Sequence, residues 1–156
     1  MRIVCAVGPR TGPDLVRRVL TAMAGTQPKL ILLYVIDTGP RKDLVHMSGP
    51  LRFGPRGGDS RHMAAITAAE EVGGRAALDE ALAEAQAAHV VAEARLESGK
   101  PEQVIVAVAR EVDAALVAIR AREHAEGRPF IGPGSVGHVA RFVLDHAPCD
   151  VLLLRN

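Results

Sequence analysis

The chain has no tryptophan, one tyrosine (Tyr34) and three phenylalanines. Proteins that hold single-stranded nucleic acid stack bases on aromatic side chains, so this scarcity excludes such a platform. A charge excess of one sign is missing too: nineteen basic residues stand against eighteen acidic ones, a formal net charge of +1. General nucleic-acid binders carry a marked basic excess, and no nucleic-acid partner is expected. The two cysteines, Cys5 and Cys149, are too few for a disulfide framework or a four-ligand zinc site. Each lies beside an apolar run, which suits a buried, reduced thiol. No apolar run approaches the roughly 20 residues that cross a bilayer. Met1 to Val7 carries one arginine and a short apolar stretch before Gly8-Pro9, without the length or cleavage site of a signal peptide. A cytoplasmic protein with no membrane partner is expected.

What is present is an ordinary globular composition: 156 residues, 48% hydrophobic and 24% charged. A globule of this length buries roughly 70% of the surface its unfolded chain exposes. That burial offsets the entropy of ordering, so a single domain over residues 1–156 with its own core is expected.

Short apolar runs alternate with helical patterns. Ile3 to Val7 is a continuous apolar run ended by Gly8-Pro9, as in a strand covered on both faces. Pro13 suits a first helical turn, and Leu15, Val16, Val19, Leu20 and Met23 follow at helical spacing. Leu30 to Ile36 is a second strand. Residues 38–61 hold five glycines, three prolines and a basic excess, and are expected to form a flexible loop. Met63 to Ala88 predicts a long helix, kinked or frayed at Gly73-Gly74, with Leu78, Leu82 and Ala85 facing inward. His89 to Leu96 alternates apolar and charged residues, as a less buried strand does. Pro101 opens a further helix whose inner face is Val104, Ile105, Val108 and Val112. Ala114 to Ile119 is a fourth strand. A Gly-rich stretch leads to a helix with Val136, Val139, Ala140, Val143 and Leu144 inward, and Val151 to Leu154 is a fifth strand.

Five strands joined by helical crossovers make an α/β fold with a parallel sheet and helices on both faces. Ligands in such sheets bind outside the carboxyl ends of the strands, at the switch point of strand order. That directs attention to Gly8–Gly12 and Arg120–Ser135.

Gly134-Ser135-Val136, an amphipathic helix and then His146-Ala147-Pro148-Cys149-Asp150-Val151-Leu152-Leu153-Leu154-Arg155 give the C-terminal third a recognisable form. Strand Ile3–Val7, the run Leu32 to Asp37, and Gly99-Lys100-Pro101 complete it. Together they resemble the universal stress protein family over nearly the whole chain apart from 38–61. The resemblance implies a three-layer, five-stranded parallel sheet of order 3-2-1-4-5, the adenine-nucleotide alpha hydrolase-like fold. It also implies a site, because some members bind ATP through Gly-x2-Gly-x9-Gly-(Ser/Thr) and an Asp ending the first strand. Gly134 and Ser135 match the last pair, and Val136 follows them. The two earlier glycines fall on Ala121 and His124, and the Asp falls on Gly8. Val35, whose backbone faces adenine in the resembled binders, is kept.

Forcing a non-glycine residue into a left-handed conformation costs about 1–2 kcal/mol. A hydrogen bond to a charged group is worth about 1.5–3 kcal/mol. Three such losses total roughly 4 kcal/mol, which takes a micromolar site to millimolar. Gly134-Ser135-Val136 at a helix N-terminus still suits an anion, and Arg120, Arg122 and Arg128 are close enough in sequence to add charge. The candidate nucleotide-binding residues are therefore Ala6, Val7, Gly8, Val35, Arg120, Arg122, Gly134, Ser135 and Val136. No cofactor is required; ATP or another adenine nucleotide is expected to bind weakly.

Nothing in the sequence suggests catalysis or a metal. His46, His62, His89, His124, His138 and His146 are scattered, and the last two lie two turns apart on one helix rather than at i, i+4. His146, near a helix C-terminus, suits a structural role. The leading expectation is a non-enzymatic stress-family module with a weakened nucleotide site. The alternative is a nucleotide-dependent switch in which arginines compensate for the lost glycines; a weak phosphohydrolase lacks a base. In the implied strand order the run Val151–Leu154 lies at a sheet edge without proline or lysine to blunt it, so a homodimer through residues 150–155 is expected.

Overall fold

The computed structural model describes residues 1–38, 58–121, 132 and 134–155, with residues 58–63 described by backbone alone. The elements are β1 (Arg2–Ala6), α1 (Gly12–Ala22), β2 (Lys29–Asp37), α2 (Gly58–Ala87), β3 (Ala92–Gly99), α3 (Pro101–Glu111), β4 (Leu116–Arg120), α4 (His138–His146) and β5 (Asp150–Leu154). The strands form one sheet in the order β3-β2-β1-β4-β5, every pair parallel. This is the expected α/β order.

Strand alternation sorts the core into two layers. Ile3, Cys5, Leu30, Leu32, Leu116 and Ala118 meet Leu15, Val16 and Val19 of α1 and Leu78, Ala81 and Ala85 of α2. Val4, Ile31, Leu33, Val117 and Ile119 meet Ile105, Val108 and Ala109 of α3 and Ala140 and Val143 of α4. β1 is covered on both faces, which is why its sequence is an unbroken apolar run.

Several boundaries differ from expectation, each for a local reason. α2 begins at Gly58, inside the stretch expected as loop; the last proline there is Pro55, so the backbone from 58 onward is unhindered. The rest of the expected loop, residues 39–57, lies outside the described residues. α2 also runs as one continuous helix through Gly73 and Gly74. Gly74 serves packing instead: a Cβ there would stand 2.8 Å from the Tyr34 ring and 2.9 Å from Leu96. β3 starts at Ala92, three residues after the expected His89, because His89 and Val90 finish α2. The Val90 N–H donates to the Ala85 carbonyl and the His89 N–H to the Gln86 carbonyl, with His89 at φ 58. That pair is a Schellman C-cap. In α4, Val139, Ala140 and Val143 face the core, but Leu144 is 39% exposed and does not.

Candidate functional site

β1→α1→β2 proceeds to one side of the sheet and β4→α4→β5 to the other, so the switch point lies between β1 and β4. At their carboxyl ends a cleft of about 270 Å³ opens. Its walls are apolar, made by Ala6, Val7, Leu33, Val35, Ile105 and Ile119; Thr11, Tyr34 and Arg120 bring polar side chains to the lining.

The β1 rim is built by a tight turn. The Val7 N–H donates to the Leu33 carbonyl at 2.8 Å, carrying the ladder one residue past β1. The Gly8 carbonyl then accepts from both the N–H and the Oγ1 of Thr11, each at 3.3 Å. Arg10, inside this turn, is exposed and held at φ 63. A Cβ on Gly8 would sit 3.2 Å from the Thr11 hydroxyl. A side chain at residue 8 therefore requires that hydroxyl to yield by a few tenths of an ångström.

The β4 rim is electrostatic. Arg120 ends β4 with its side chain 15% exposed, and its Nη1 donates to Asp14 Oδ2 at 2.6 Å. Asp14 lies in the first turn of α1, with Arg18 Nη1 4.0 Å from the same oxygen. The next residue, Ala121, donates its N–H to the Leu154 carbonyl at 2.8 Å and so prolongs the β4–β5 ladder. It is not among the residues with positive φ. The strain expected from a non-glycine residue is absent at this position because the chain stays extended there.

The segment before α4 is closed on itself. Gly132, Gly134 and Gly137 take φ values of 127, 84 and 82. The Ser135 N–H donates to the Gly132 carbonyl at 3.1 Å, and the Gly137 N–H to the Gly134 carbonyl at 3.2 Å. Ser135 is only 3% exposed, and its Oγ accepts from Arg155 Nη1 at 3.2 Å. The Arg155 carbonyl in turn accepts from Arg18 Nη2 at 2.6 Å.

Of the sequence-derived candidates, Ala6, Val7, Gly8, Val35 and Arg120 come together around the cleft. Val136 borders a shallow depression beside it with Arg120 and Val139. Gly134 and Ser135 form the turn before α4 but are not among the cleft-lining residues. Arg122, with His124 and Arg128, lies outside the described residues. Sequence reasoning missed Thr11 and Ile105 in the lining, Asp14 as the partner of Arg120 and Arg155 as the partner of Ser135. Asp14 and Arg120 are 106 positions apart, and only the pairing of β1 with β4 makes them neighbours.

Three other groups complete the chemistry. Burial, reinforced by the charge of Glu70, pushes the Tyr34 hydroxyl up. Burial pushes the Cys5 thiol up to about 12. His146 stacks on Phe142, with ring centroids 4.0 Å apart, and places Nδ1 2.9 Å from the Phe142 carbonyl, as a structural histidine at a helix end does. Among the described residues no group of three His, Cys, Asp or Glu side chains is placed to hold a metal. None of their helices is long and apolar enough to cross a membrane.

The model of the universal stress protein family matches residues 1–155. The chain belongs to that family. Among curated proteins, none matches it with significant sequence similarity. Solved universal stress proteins have the same fold at low identity. One from Burkholderia pseudomallei is 23% identical, with a TM-score of 0.64 over 99% of this chain and 96% of that one. One from Archaeoglobus fulgidus, in complex with dAMP, is 18% identical, with a TM-score of 0.61 over 100% of this chain and 98% of that one. One from Arabidopsis thaliana, with AMP bound, is 16% identical, with a TM-score of 0.62 over 100% of this chain and 92% of that one. In this universal stress protein the cleft occupies the position at which parallel sheets hold ligands, at the strand-order switch.

Proposed function

We propose that this chain is a non-enzymatic universal stress protein module, cytoplasmic and homodimeric, that acts in a stress response with a weakened adenine-nucleotide site. One observation carries the reading. The cleft keeps its apolar walls, whereas four of the described groups beside it that could meet a phosphate are already partnered within the protein: Arg120 by Asp14, and the N–H groups of Ala121, Ser135 and Gly137 by carbonyls. A site of this kind retains the apolar contribution to binding and forfeits most of the charge-assisted hydrogen bonds. The dAMP and AMP complexes of two structural neighbours support adenine as the base class. No carboxylate or imidazole is among the described residues lining the cleft, which supports a binding rather than a catalytic role. Dimerisation or contact with a protein partner is then the output, with no cofactor required.

The test is mass spectrometry of the purified protein for co-purified nucleotide, followed by ATP titration with and without magnesium. No retained nucleotide and an ATP affinity in the high-micromolar to millimolar range are expected. Submicromolar ATP binding would overturn the weakened site and favour a nucleotide-dependent switch.

A further inference from the structure

Arg120 lines the cleft, and its carboxylate partner Asp14 connects it to two further arginines, Arg18 and Arg155. Asp14 Oδ2 takes a hydrogen bond from Arg120 Nη1 at 2.6 Å and stands 4.0 Å from Arg18 Nη1. Arg18 also reaches the carbonyl of Arg155, whose own guanidinium binds Ser135 Oγ. Arg120 belongs both to the cleft lining and to the depression at the start of α4. A ligand with its flat part between the apolar walls and an anionic tail would thus run its tail past Arg120.

Resting on the reading of the cleft as an adenine site, we infer that Asp14 acts as a built-in anion in place of a ligand's phosphate, so that the cleft selects an uncharged nucleoside over the corresponding nucleotide. Three observations converge on this. The cation among the described residues that line the cleft, Arg120, is already matched by a short, charge-assisted hydrogen bond, and a phosphate must displace or crowd a carboxylate to reach it. Two like charges competing for one guanidinium in a partly buried setting repel each other more than they would in water, and Arg120 is only 15% exposed. The cleft formed by the described residues, at about 270 Å³, is walled mostly by apolar side chains, which suits a flat base with its sugar. Asp14 touches no ligand in this scheme. It is a positioning residue that sets the charge Arg120 offers.

The test is calorimetric titration of the full chain with adenosine, AMP and inorganic phosphate, repeated on Asp14→Asn and on Asp14→Asn combined with Arg120→Gln. The wild type is expected to bind adenosine more tightly than AMP and to show no phosphate binding. Asp14→Asn should shift the AMP-to-adenosine affinity ratio toward AMP by about ten- to a hundredfold, the worth of one charge-assisted hydrogen bond. Removing Arg120 as well should cancel that shift, which a merely structural role for Asp14 would not produce. Circular dichroism checks that each variant is folded; should Asp14→Asn unfold, Asp14→Ser supplies the same loss of charge. A wild type that binds AMP more tightly than adenosine, or a ratio unmoved by loss of the carboxylate, overturns the inference while leaving the adenine reading intact. Failure of adenosine, AMP and ATP alike to bind overturns the adenine reading itself, and the inference with it.

Discussion

Gly73 and Gly74 are neighbours on α2 with opposite duties. A Cβ on Gly73 meets nothing within 4 Å, whereas one on Gly74 would overlap both Tyr34 and Leu96. Gly73→Ala should therefore raise stability by about 0.8–1 kcal/mol through helix propensity. Gly74→Ala gains the same propensity but must push apart a packed ring and a leucine, and overpacking of this kind costs about 1–3 kcal/mol. Urea denaturation of the two variants should move the midpoint in opposite directions. The cysteines differ in the same local way. Cys5 is fully buried in β1, and burial holds its thiol at about 12. A thiol whose folded value lies above its unfolded one contributes stability that is complete below about pH 9 and is lost as pH rises from there toward 12. Unfolding midpoints should fall across that window and flatten in Cys5→Ser, while iodoacetamide at pH 8 should label Cys149, which is only partly buried, and spare Cys5.

At the scale of elements, two helices end with the same motif. α2 closes on His89 as described, and α3 closes on Asp113, whose N–H donates to the Arg110 carbonyl while the Ala114 N–H donates to the Ala109 carbonyl. Both closing residues sit in the left-handed region, at φ 58 and 49, where glycine is normally found. Asp tolerates that region better than His, so His89→Gly should stabilise by about 1–2 kcal/mol and Asp113→Gly by less, read as shifts in thermal midpoint. The loops after β1 and β4 belong to this scale too. Gly8→Asp and His124→Gly together should raise ATP affinity by about a hundredfold or more, measured by titration, and adding Ala121→Gly should bring little further gain because Ala121 is unstrained. An unchanged affinity would mean that these positions do not correspond to the family's phosphate loop. The crowding of Thr11 Oγ1 against a side chain at residue 8 predicts that Thr11→Ser, whose hydroxyl is freer to rotate, makes Gly8→Asp better tolerated.

For the molecule as a whole, β5 is the strand that lies at the sheet edge beside β4, and β3 closes the other edge. β3 carries Glu93, Arg95 and Glu97, with Arg95 paired to Glu97 and Glu111, and such charges discourage edge pairing. β5 carries Val151 to Leu154 and no such charge within that run. Its side chains are less available than the bare sequence implies: Leu154 is buried within the chain, and Val151, Leu152 and Leu153 are half-buried. The proposed dimer therefore relies on the outward backbone groups of β5 as much as on apolar area. Light scattering at micromolar concentration should give the mass of a dimer. Leu153→Lys, confirmed as folded by circular dichroism, should shift it toward monomer. A monomeric wild type would refute the pairing.

The sequence by itself determined the layers. A short unbroken apolar run such as Ile3–Val7, closed by Gly8-Pro9, fits a strand covered on both faces, and the helical spacing of Leu15, Val16 and Val19 gives a helix one face to pack on it, because burial follows periods of two and 3.6 along the chain. The cleft's location was legible for the same reason: β1, β2 and β4 end at Ala6, Asp37 and Arg120, and their carboxyl ends had to share a rim. The resemblance to the family also put Ala121, His124 and Gly8 where some members have two glycines and an Asp, since residue identity at a fixed spacing needs no coordinates. Tertiary structure alone decided where charges and small residues meet. Asp14 quenches Arg120, Arg155 holds Ser135, and Gly74 admits Tyr34 through contacts between residues 20 to 106 positions apart. Such contacts depend on the order in which strands lie side by side and on how closely a helix approaches the sheet, and neither leaves a local mark on the sequence.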